Sequence, residues 1–103
     1  MMFIYNITMQ VEASVHQDWY NWVNTSFIPE MLSTKKFTKA VLSEVLQDET
    51  HDSLTYSVQF FVPTETHLEA YKQAYASKIE AKISLFKTRV VSFSSTLKII
   101  DQH

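Results

Sequence analysis

The sequence predicts an α+β domain whose elements follow in the order strand, helix, strand, strand, helix, strand. Four stretches alternate with a period of two, which is typical of β-strands. Two stretches between them place apolar residues three or four positions apart, which is typical of amphipathic helices. A chain of 103 residues suits one domain with one core, so we expect a single domain over 1–103.

The first strand is predicted from Phe3 to Glu12, where the odd positions are apolar and the even positions after Ile4 are polar. Ser14 and Gln17 are predicted to form a capping box that begins the first helix. Pro29 is predicted to end that helix or to open a short new turn. The apolar stripe of the helix consists of Val15, Trp19, Trp22, Val23, Ser26 and Phe27.

The second and third strands are predicted to form a hairpin. The second runs from Phe37 to Gln47 and has apolar residues on both faces, so the sequence leaves its buried face open. Asp48 to Ser53 is polar and predicts the turn. Leu54 to Val62 predicts the third strand, in which the even positions are apolar.

The second helix and the last strand complete the predicted domain. Pro63 ends the third strand, and Thr64 is predicted to cap the helix. The helix stripe is Leu68, Tyr71, Tyr75, Ile79, Ile83 and Phe86. Arg89 to Ile100 predicts the last strand, with Val91, Phe93, Leu97 and Ile99 on one face and Ser92, Ser94, Thr96 and Lys98 on the other.

With two right-handed crossovers, this order gives a ferredoxin-like βαββαβ fold, in which a four-stranded antiparallel sheet has both helices on one face. We expect the apolar side of each strand to face the helices. The opposite face would then be small, polar and nearly uncharged. Its predicted members are Asn6, Thr8, Gln10, Ser57, Gln59, Ser92, Ser94 and Thr96, with Ile4 and Phe61 nearby.

A free sheet face usually has many Lys and Glu residues, whereas this predicted face is nearly uncharged. We therefore expect a second copy of the chain to cover it as a homodimer. A standard interface hides about 800 Å² per partner, which is close to what one face of a small sheet offers. The alternative is a monomer whose Ser- and Thr-rich face remains uncovered.

Composition excludes several classes of function. The net charge is −2, which provides no basic field for nucleic acid or an anionic membrane. The absence of cysteine excludes thiolate metal sites and a Cys nucleophile, and the four His residues show no metal-ligand spacing. The absence of glycine argues against phosphate-binding loops. We expect no cofactor and no metal.

The beginning of the chain lacks a basic region and is a poor signal peptide. No stretch approaches the run of about 18 apolar residues that a membrane span needs. We therefore expect a cytoplasmic protein without a membrane partner.

RNA-binding domains share this topology, but they stack bases on exposed aromatic residues and use a motif with Gly and Arg on the third strand. Residues 55–62 contain neither Gly nor a basic residue. Tyr5, Tyr56, Phe60 and Phe93 have the parity expected to face the helices. We expect no nucleic-acid partner.

Five stretches stand out together: Ile4-Tyr5-Asn6-Ile7-Thr8, His16-Gln17-Asp18-Trp19-Tyr20-Asn21-Trp22, Ile28-Pro29-Glu30-Met31-Leu32, Thr55-Tyr56-Ser57-Val58-Gln59-Phe60 and Phe86-Lys87-Thr88-Arg89-Val90-Val91-Ser92-Phe93. In this order they resemble a bacterial family, mostly from Bacteroidota, known as domain of unknown function 4286. The resemblance covers nearly the whole chain and rests on several short stretches.

The resemblance implies the dimeric α/β-barrel variant of the ferredoxin-like fold, in which two sheets close face to face, and it implies no activity. Antibiotic-biosynthesis-type monooxygenases, haem-degrading enzymes and stress-responsive barrel proteins share this architecture, so fold does not choose among them. The resemblance also implies a His before Ile28-Pro29-Glu30, where this chain has Phe27. A ligand that depends on that His would be lost here.

Candidate ligand-binding residues follow from the polar face and the aromatic residues beside it. Asn6, Ser57, Gln59 and Ser94 offer hydrogen bonds to a small-molecule ligand, whereas Trp19 and Trp22 would form an aromatic wall or simply pack in the core. Tyr71 and Tyr75 have the same two interpretations. His16 could bind haem or act as a base, although such a residue is more often a boundary side chain on a helix.

No residue is assigned a catalytic role, because Asn and Ser transfer no protons near neutral pH. We therefore expect a non-catalytic homodimeric module that binds a ligand or a protein. The alternative is a small-molecule-binding barrel with cofactor-independent monooxygenase-like activity, in which His16 or a carboxylate would supply the base.

Overall fold

Four strands form one antiparallel sheet in the order β2-β3-β1-β4 in this computed structural model, which describes residues 2–46 and 53–103. The strands are β1 (Phe3–Glu12), β2 (Lys39–Val45), β3 (Ser53–Val62) and β4 (Val90–Lys98). This is the strand order of the predicted βαββαβ topology, so the predicted fold class is confirmed. Apart from Ser53, the predicted hairpin turn at 48–53 lies outside the described residues.

Each predicted helix is present as two segments. The segments are α1 (His16–Trp22) and α2 (Ile28–Ser33), joined by a π turn over Val23–Phe27, and α3 (Glu65–Ala74) and α4 (Ala76–Ile83), separated at Tyr75 and followed by 3-10 turns over Ser84–Arg89. No helix among the described residues combines the length and apolar character that a membrane span requires.

The π turn between α1 and α2 keeps the buried side chains of this helix in line. Trp19, Val23, Phe27 and Met31 are all buried and are spaced by four. In a regular α-helix four residues advance about 400°, so side chains spaced by four shift gradually around the helix axis. A wider π turn reduces this shift. Pro29 lacks the N–H that would bond one turn back, which also favours widening there.

The two predicted helix caps have different outcomes. The capping box of Ser14 and Gln17 is wrong, because a 3-10 turn precedes α1 and the Ser14 hydroxyl donates instead to Glu12 Oε1 at 2.7 Å. The Thr64 cap is confirmed, since its Oγ1 accepts a hydrogen bond from the His67 backbone N–H at 3.2 Å. A cap works only where its hydroxyl reaches free N–H groups of the first turn.

The core lies between the sheet and the helices. The odd residues of β1 and the even residues of β3 face it, as predicted. Its buried members are Tyr5, Ile7, Met9, Val11, Trp19, Val23, Phe27, Met31, Phe37, Tyr56, Val58, Phe60, Val62, Leu68, Tyr71, Ile79, Ile83 and Val90. These residues explain why the elements pack as they do, because burial of apolar area is the main favourable term.

Strand β2 is shorter than predicted, and the structure determines its orientation. Phe37 precedes the strand and is buried, with its ring 4.9 Å from Tyr71. Ala40 and Leu42 pack against the core, whereas Val41 and Val45 are exposed on the other face. The core-facing side of β2 is therefore that of Ala40 and Leu42, and Val41 and Val45 form an exposed apolar group on the opposite side.

The predicted faces of β4 are reversed in the structure. Ile7 is paired with Ser94 and Thr8 with Phe93, so Ser92, Ser94 and Thr96 lie on the helix side of the sheet. Phe93 therefore does not share the helix-facing parity of Tyr5. The assumption that the apolar side of β4 faces the core is wrong, because β4 is an edge strand and the buried part of it is Val90.

Candidate functional site

The face of the sheet that points away from the helices, here named the outer sheet face, is built from alternate residues of all four strands. Its registers run from β2 through β3 and β1 to β4. Its members are Lys39, Val41, Ser43, Val45, Phe61, Gln59, Ser57, Thr55, Ser53, Ile4, Asn6, Thr8, Gln10, Glu12, Leu97, Ser95, Phe93 and Val91. Only Lys39 and Glu12 among these eighteen are charged.

The centre of the outer sheet face is a hydrogen-bonded polar group. Ser57 Oγ donates to Asn6 Oδ1 at 2.5 Å, and Asn6 Nδ2 donates to Thr8 Oγ1 at 3.1 Å. Gln59 is paired with Asn6 in the register. The structure thus brings three predicted ligand-binding residues together, and two of them already use their polar atoms on each other.

The borders of the outer sheet face are apolar. On β4, the exposed fractions are 57% for Val91, 64% for Phe93 and 45% for Leu97. Leu97 pairs with Ile4, which pairs with Phe61, so an apolar row crosses three strands. Large apolar side chains grouped on a surface mark interaction sites. The sequence analysis did not predict this group, because it placed the apolar side of β4 toward the helices.

A cavity of about 400 Å³ lies on the helix side of β4, beside α3 and α4. It is lined by Tyr5, Ile7, Tyr71, Ile79, Glu80, Ile83, Ser92, Phe93 and Ser94. Cavities of this size are typical of small-molecule sites. Strand β4 is exposed after Val90, and the hydroxyl side chains of Ser92 and Ser94 form one wall of the cavity.

The electrostatics of the cavity are dominated by a phenol and a carboxylate. Burial raises the pKa of Tyr71, and repulsion from the ionised forms of Tyr5 and of Glu80 raises it further, in that order. The Tyr71 hydroxyl is therefore neutral across the physiological pH range and can donate or accept a hydrogen bond. The rings of Tyr5 and Tyr71 lie 5.4 Å apart and are tilted by 56°.

His16 lies away from this cavity, in an aromatic cluster at the beginning of α1. Its Nε2 is 2.7 Å from the hydroxyl oxygen of Tyr56. Its ring lies 5.6 Å from that of Tyr56, 6.0 Å from Tyr20 and 6.4 Å from Trp19. Burial raises the pKa of Tyr56, with smaller contributions from Glu44 and Tyr20.

The two tryptophans belong to the packed interior of the helices. Trp19 is fully buried, and its Nε1–H points to the sulfur of Met9 at 3.3 Å. Trp22 is half-buried and packs on Phe27 at 5.0 Å and on Phe86 at 5.3 Å. Phe27 itself is buried, with its ring edge-on to Phe60 at 5.9 Å. A side chain at position 27 thus lies in the core.

The predicted site residues therefore fall into separate places. Asn6, Ser57 and Gln59 meet on the outer sheet face, whereas Ser94 lines the cavity on the other side and His16 belongs to the aromatic cluster. Sequence reasoning missed Glu80 as a cavity residue. The available signal was its position directly after Ile79, on the border of the apolar stripe. Within residues 2–46 and 53–103, no three His, Asp or Glu side chains are grouped to hold a metal.

A protein-family model described as a domain of unknown function, DUF4286, matches residues 2–100. No curated protein sequence matches the chain.

Solved structures of similar fold cover almost the whole chain. HapK from Hahella chejuensis is 8% identical, with a TM-score of 0.67 and coverage of 100% of this chain and 96% of that chain. A dimeric ferredoxin-like protein from an uncultured marine organism is 11% identical, with a TM-score of 0.61 and coverage of 98% of both chains. A dimeric ferredoxin-like protein of unknown function from Thermobifida fusca is 15% identical, with a TM-score of 0.57 and coverage of 93% and 92%. At these identities the likeness concerns the fold.

Proposed function

The chain belongs to the family described as a domain of unknown function, DUF4286, and we propose that it acts as a homodimeric binding module without catalysis. Two copies associate through their outer sheet faces. The cavity beside β4 then remains on the helix side of each subunit, where it takes up a small molecule.

One observation supports the homodimer most directly, namely the exposed apolar side chains of β4. Val91, Phe93 and Leu97 have between 45% and 64% of their surface in contact with water in the single chain. Burial of apolar area contributes about 25 cal/mol per Å², so covering this border favours association. Phe93 is the largest and the most exposed of the three and is expected to contribute most.

The charge of the outer sheet face supports a second copy as the occupant. A two-fold symmetric interface brings each residue near its own equivalents, so a highly charged face would repel itself. Here the two charged members, Lys39 and Glu12, have opposite signs, and the Lys39 Nζ lies 4.5 Å from the centroid of the Phe61 ring. Two of the structures with a similar fold are themselves described as dimeric, which agrees with this stoichiometry.

The homodimer is tested by light scattering coupled to gel filtration at tens of micromolar protein. We expect a particle of twice the 12.0 kDa chain mass. Phe93→Glu should give a monomer, because a carboxylate would then lie in the apolar border. Gln73→Glu adds the same charge on the exposed side of α3 and should leave the mass unchanged.

A wild-type particle with the mass of one chain would refute the homodimer. So would a Phe93→Glu variant that retains the dimer mass and the wild-type circular dichroism spectrum.

A second candidate function is monooxygenase-like catalysis without a cofactor, and the cavity favours it. Glu80 provides a carboxylate beside the neutral Tyr71 hydroxyl, which is the pairing of base and hydrogen-bond donor that such chemistry needs. Oxygen consumption with an electron-rich hydroxyanthrone tests this function. A rate above buffer that Glu80→Gln reduces supports catalysis, and a rate equal to buffer excludes it for this substrate class.

A further inference from the structure

The cavity beside β4 has an acidic lining, which discriminates among ligands by charge. Glu80 is the charged member of its lining, and none of the other eight residues is Lys, Arg or His. Among the described residues, no cationic side chain pairs with Glu80. A ligand with a positive charge would therefore find an unpaired carboxylate, whereas an anionic ligand would be repelled.

The other polar groups of the lining suit the same kind of ligand. An ammonium group has three N–H donors and needs several acceptors around it. The hydroxyl groups of Ser92 and Ser94 are acceptors on the β4 wall, opposite the helix that contains Glu80. The rings of Tyr5 and Tyr71 are buried, so the accessible acceptors are the Glu80 carboxylate and the two serine hydroxyls, all on exposed residues.

The remainder of the lining is apolar. Ile7, Ile79 and Ile83 are buried and contribute their side chains to the cavity from β1 and α4. Because these side chains are nearly inaccessible, they close the bottom of the cavity and offer a ligand little apolar area to bury. At about 400 Å³, the cavity holds a small molecule, and it is near the lower end of the usual range for ligand sites.

We infer that this cavity binds a small primary amine, with Glu80 as the counter-ion of the ammonium group. This inference rests on the proposed function as a binding module and names its ligand class. Phe93 is part of the cavity lining, whereas its side chain lies on the outer sheet face beside Thr8.

Three probes with the same phenyl body and different heads test the inference by isothermal titration calorimetry on the full chain. They are phenethylamine, phenethyl alcohol and hydrocinnamate, which have positive, neutral and negative heads at neutral pH. We expect the amine to bind at least about tenfold more tightly than the acid, since a charge-assisted hydrogen bond forms only with the amine.

Substitution of Glu80 tests the effect of its charge while the shape of the cavity is kept. Glu80→Gln should weaken amine binding about tenfold and leave alcohol binding unchanged, because the amide keeps the size and loses the charge. Glu69→Gln removes an exposed carboxylate of α3 that does not line the cavity, and it should bind all three probes as the wild type does.

The location of binding is read from amide chemical shifts in NMR spectra during the amine titration. Shifts centred on Ile79, Ser92 and Ser94 are expected, and shifts centred on His16 would place the ligand elsewhere and overturn the inference. Equal affinity for the three probes, tighter binding of the acid, or no binding of the amine would also overturn it.

The oligomeric state of the same samples keeps the two proposals apart. A monomer that binds the amine with the expected selectivity would refute the homodimer and leave the ligand class standing. A dimer that fails to bind the amine would refute the ligand class alone.

Discussion

The Nε2 atom of His16 lies 2.7 Å from the hydroxyl oxygen of Tyr56, and the two rings stack with their centroids 5.6 Å apart. This contact joins the beginning of α1 to β3 across 40 positions of sequence. Tyr56 is buried, so its hydroxyl needs a partner within the protein. The pair therefore holds the first helix on the sheet.

Removal of the Tyr56 hydroxyl tests that contact. Tyr56→Phe keeps the ring and should lower the free energy of unfolding by about 1 kcal/mol, the usual net value of such a hydrogen bond. His16→Ala should add less in the Tyr56→Phe background than in the wild type, because the bond is then already lost. Urea unfolding followed by tryptophan fluorescence measures both effects. Tyr20→Phe is the control, and full additivity of the two substitutions would refute the contact.

Lys35 adopts a left-handed backbone conformation directly after α2, with φ of 62°. Residues with a Cβ atom pay about 1 kcal/mol there, whereas glycine does not, and this chain contains no glycine. Lys35→Gly should therefore raise the free energy of unfolding by up to about 1 kcal/mol. Thermal unfolding measures the change. Lys36→Gly provides the comparison, since Lys36 lacks a positive φ, and it should not stabilise.

The ionisation of Tyr71 should lower the stability of the folded protein in alkali. Its pKa is raised in the folded state, so the folded chain keeps this proton above pH 10, where the unfolded chain loses it. The stabilising effect is complete below about pH 10 and decreases as the pH rises further, by at most about 1.4 kcal/mol per pH unit.

Tyr71→Phe removes that titration and should flatten the alkaline decline. Urea midpoints of both proteins, compared between pH 8 and pH 11 at about half-unit steps, measure it. The two curves should run parallel below pH 9 and diverge above about pH 10. Curves that remain parallel throughout would show that Tyr71 ionises equally in both states.

Glu30 on α2 and Lys82 on α4 form an ion pair that joins the two helical segments. Both side chains are about two-fifths exposed, so water and salt screen the pair. Lys82→Met should lower the free energy of unfolding by no more than about 1 kcal/mol, and less at high salt. Lys78→Met, an exposed position of the same helix, is the matched control. An effect that does not change with salt would assign the loss to packing of the Lys82 stem.

Much of the fold could be predicted from the pattern of apolar residues in the sequence. Residues Phe3–Glu12 alternate strictly, and β1 has the predicted bounds and the predicted buried face. The second helix was predicted from spacing, and its stripe residues Leu68, Tyr71, Ile79 and Ile83 are buried. The break at Tyr75 was not predicted, because no proline or glycine marks it.

Less of the candidate site could be predicted from the sequence. Asn6 and Ser57 were correctly placed on one face, since both belong to central strands whose other face is fully apolar. Glu80 and Ser94 come close only because α4 and β4 lie side by side in the fold, and nothing in their local sequence indicates that proximity. His16 and Tyr56 meet for the same reason.

The sequence alone determined which residues share a side of each element, because side chains alternate along a strand and recur every three or four positions along a helix. It did not determine which side of β4 is buried. Phe93 and Ser94 point to opposite faces in any strand, but only the register with Ile7 and Thr8 turns Ser94 toward the helices. That register depends on contacts between distant parts of the chain, and at the edge of a sheet the apolar face need not be the one that the helices cover.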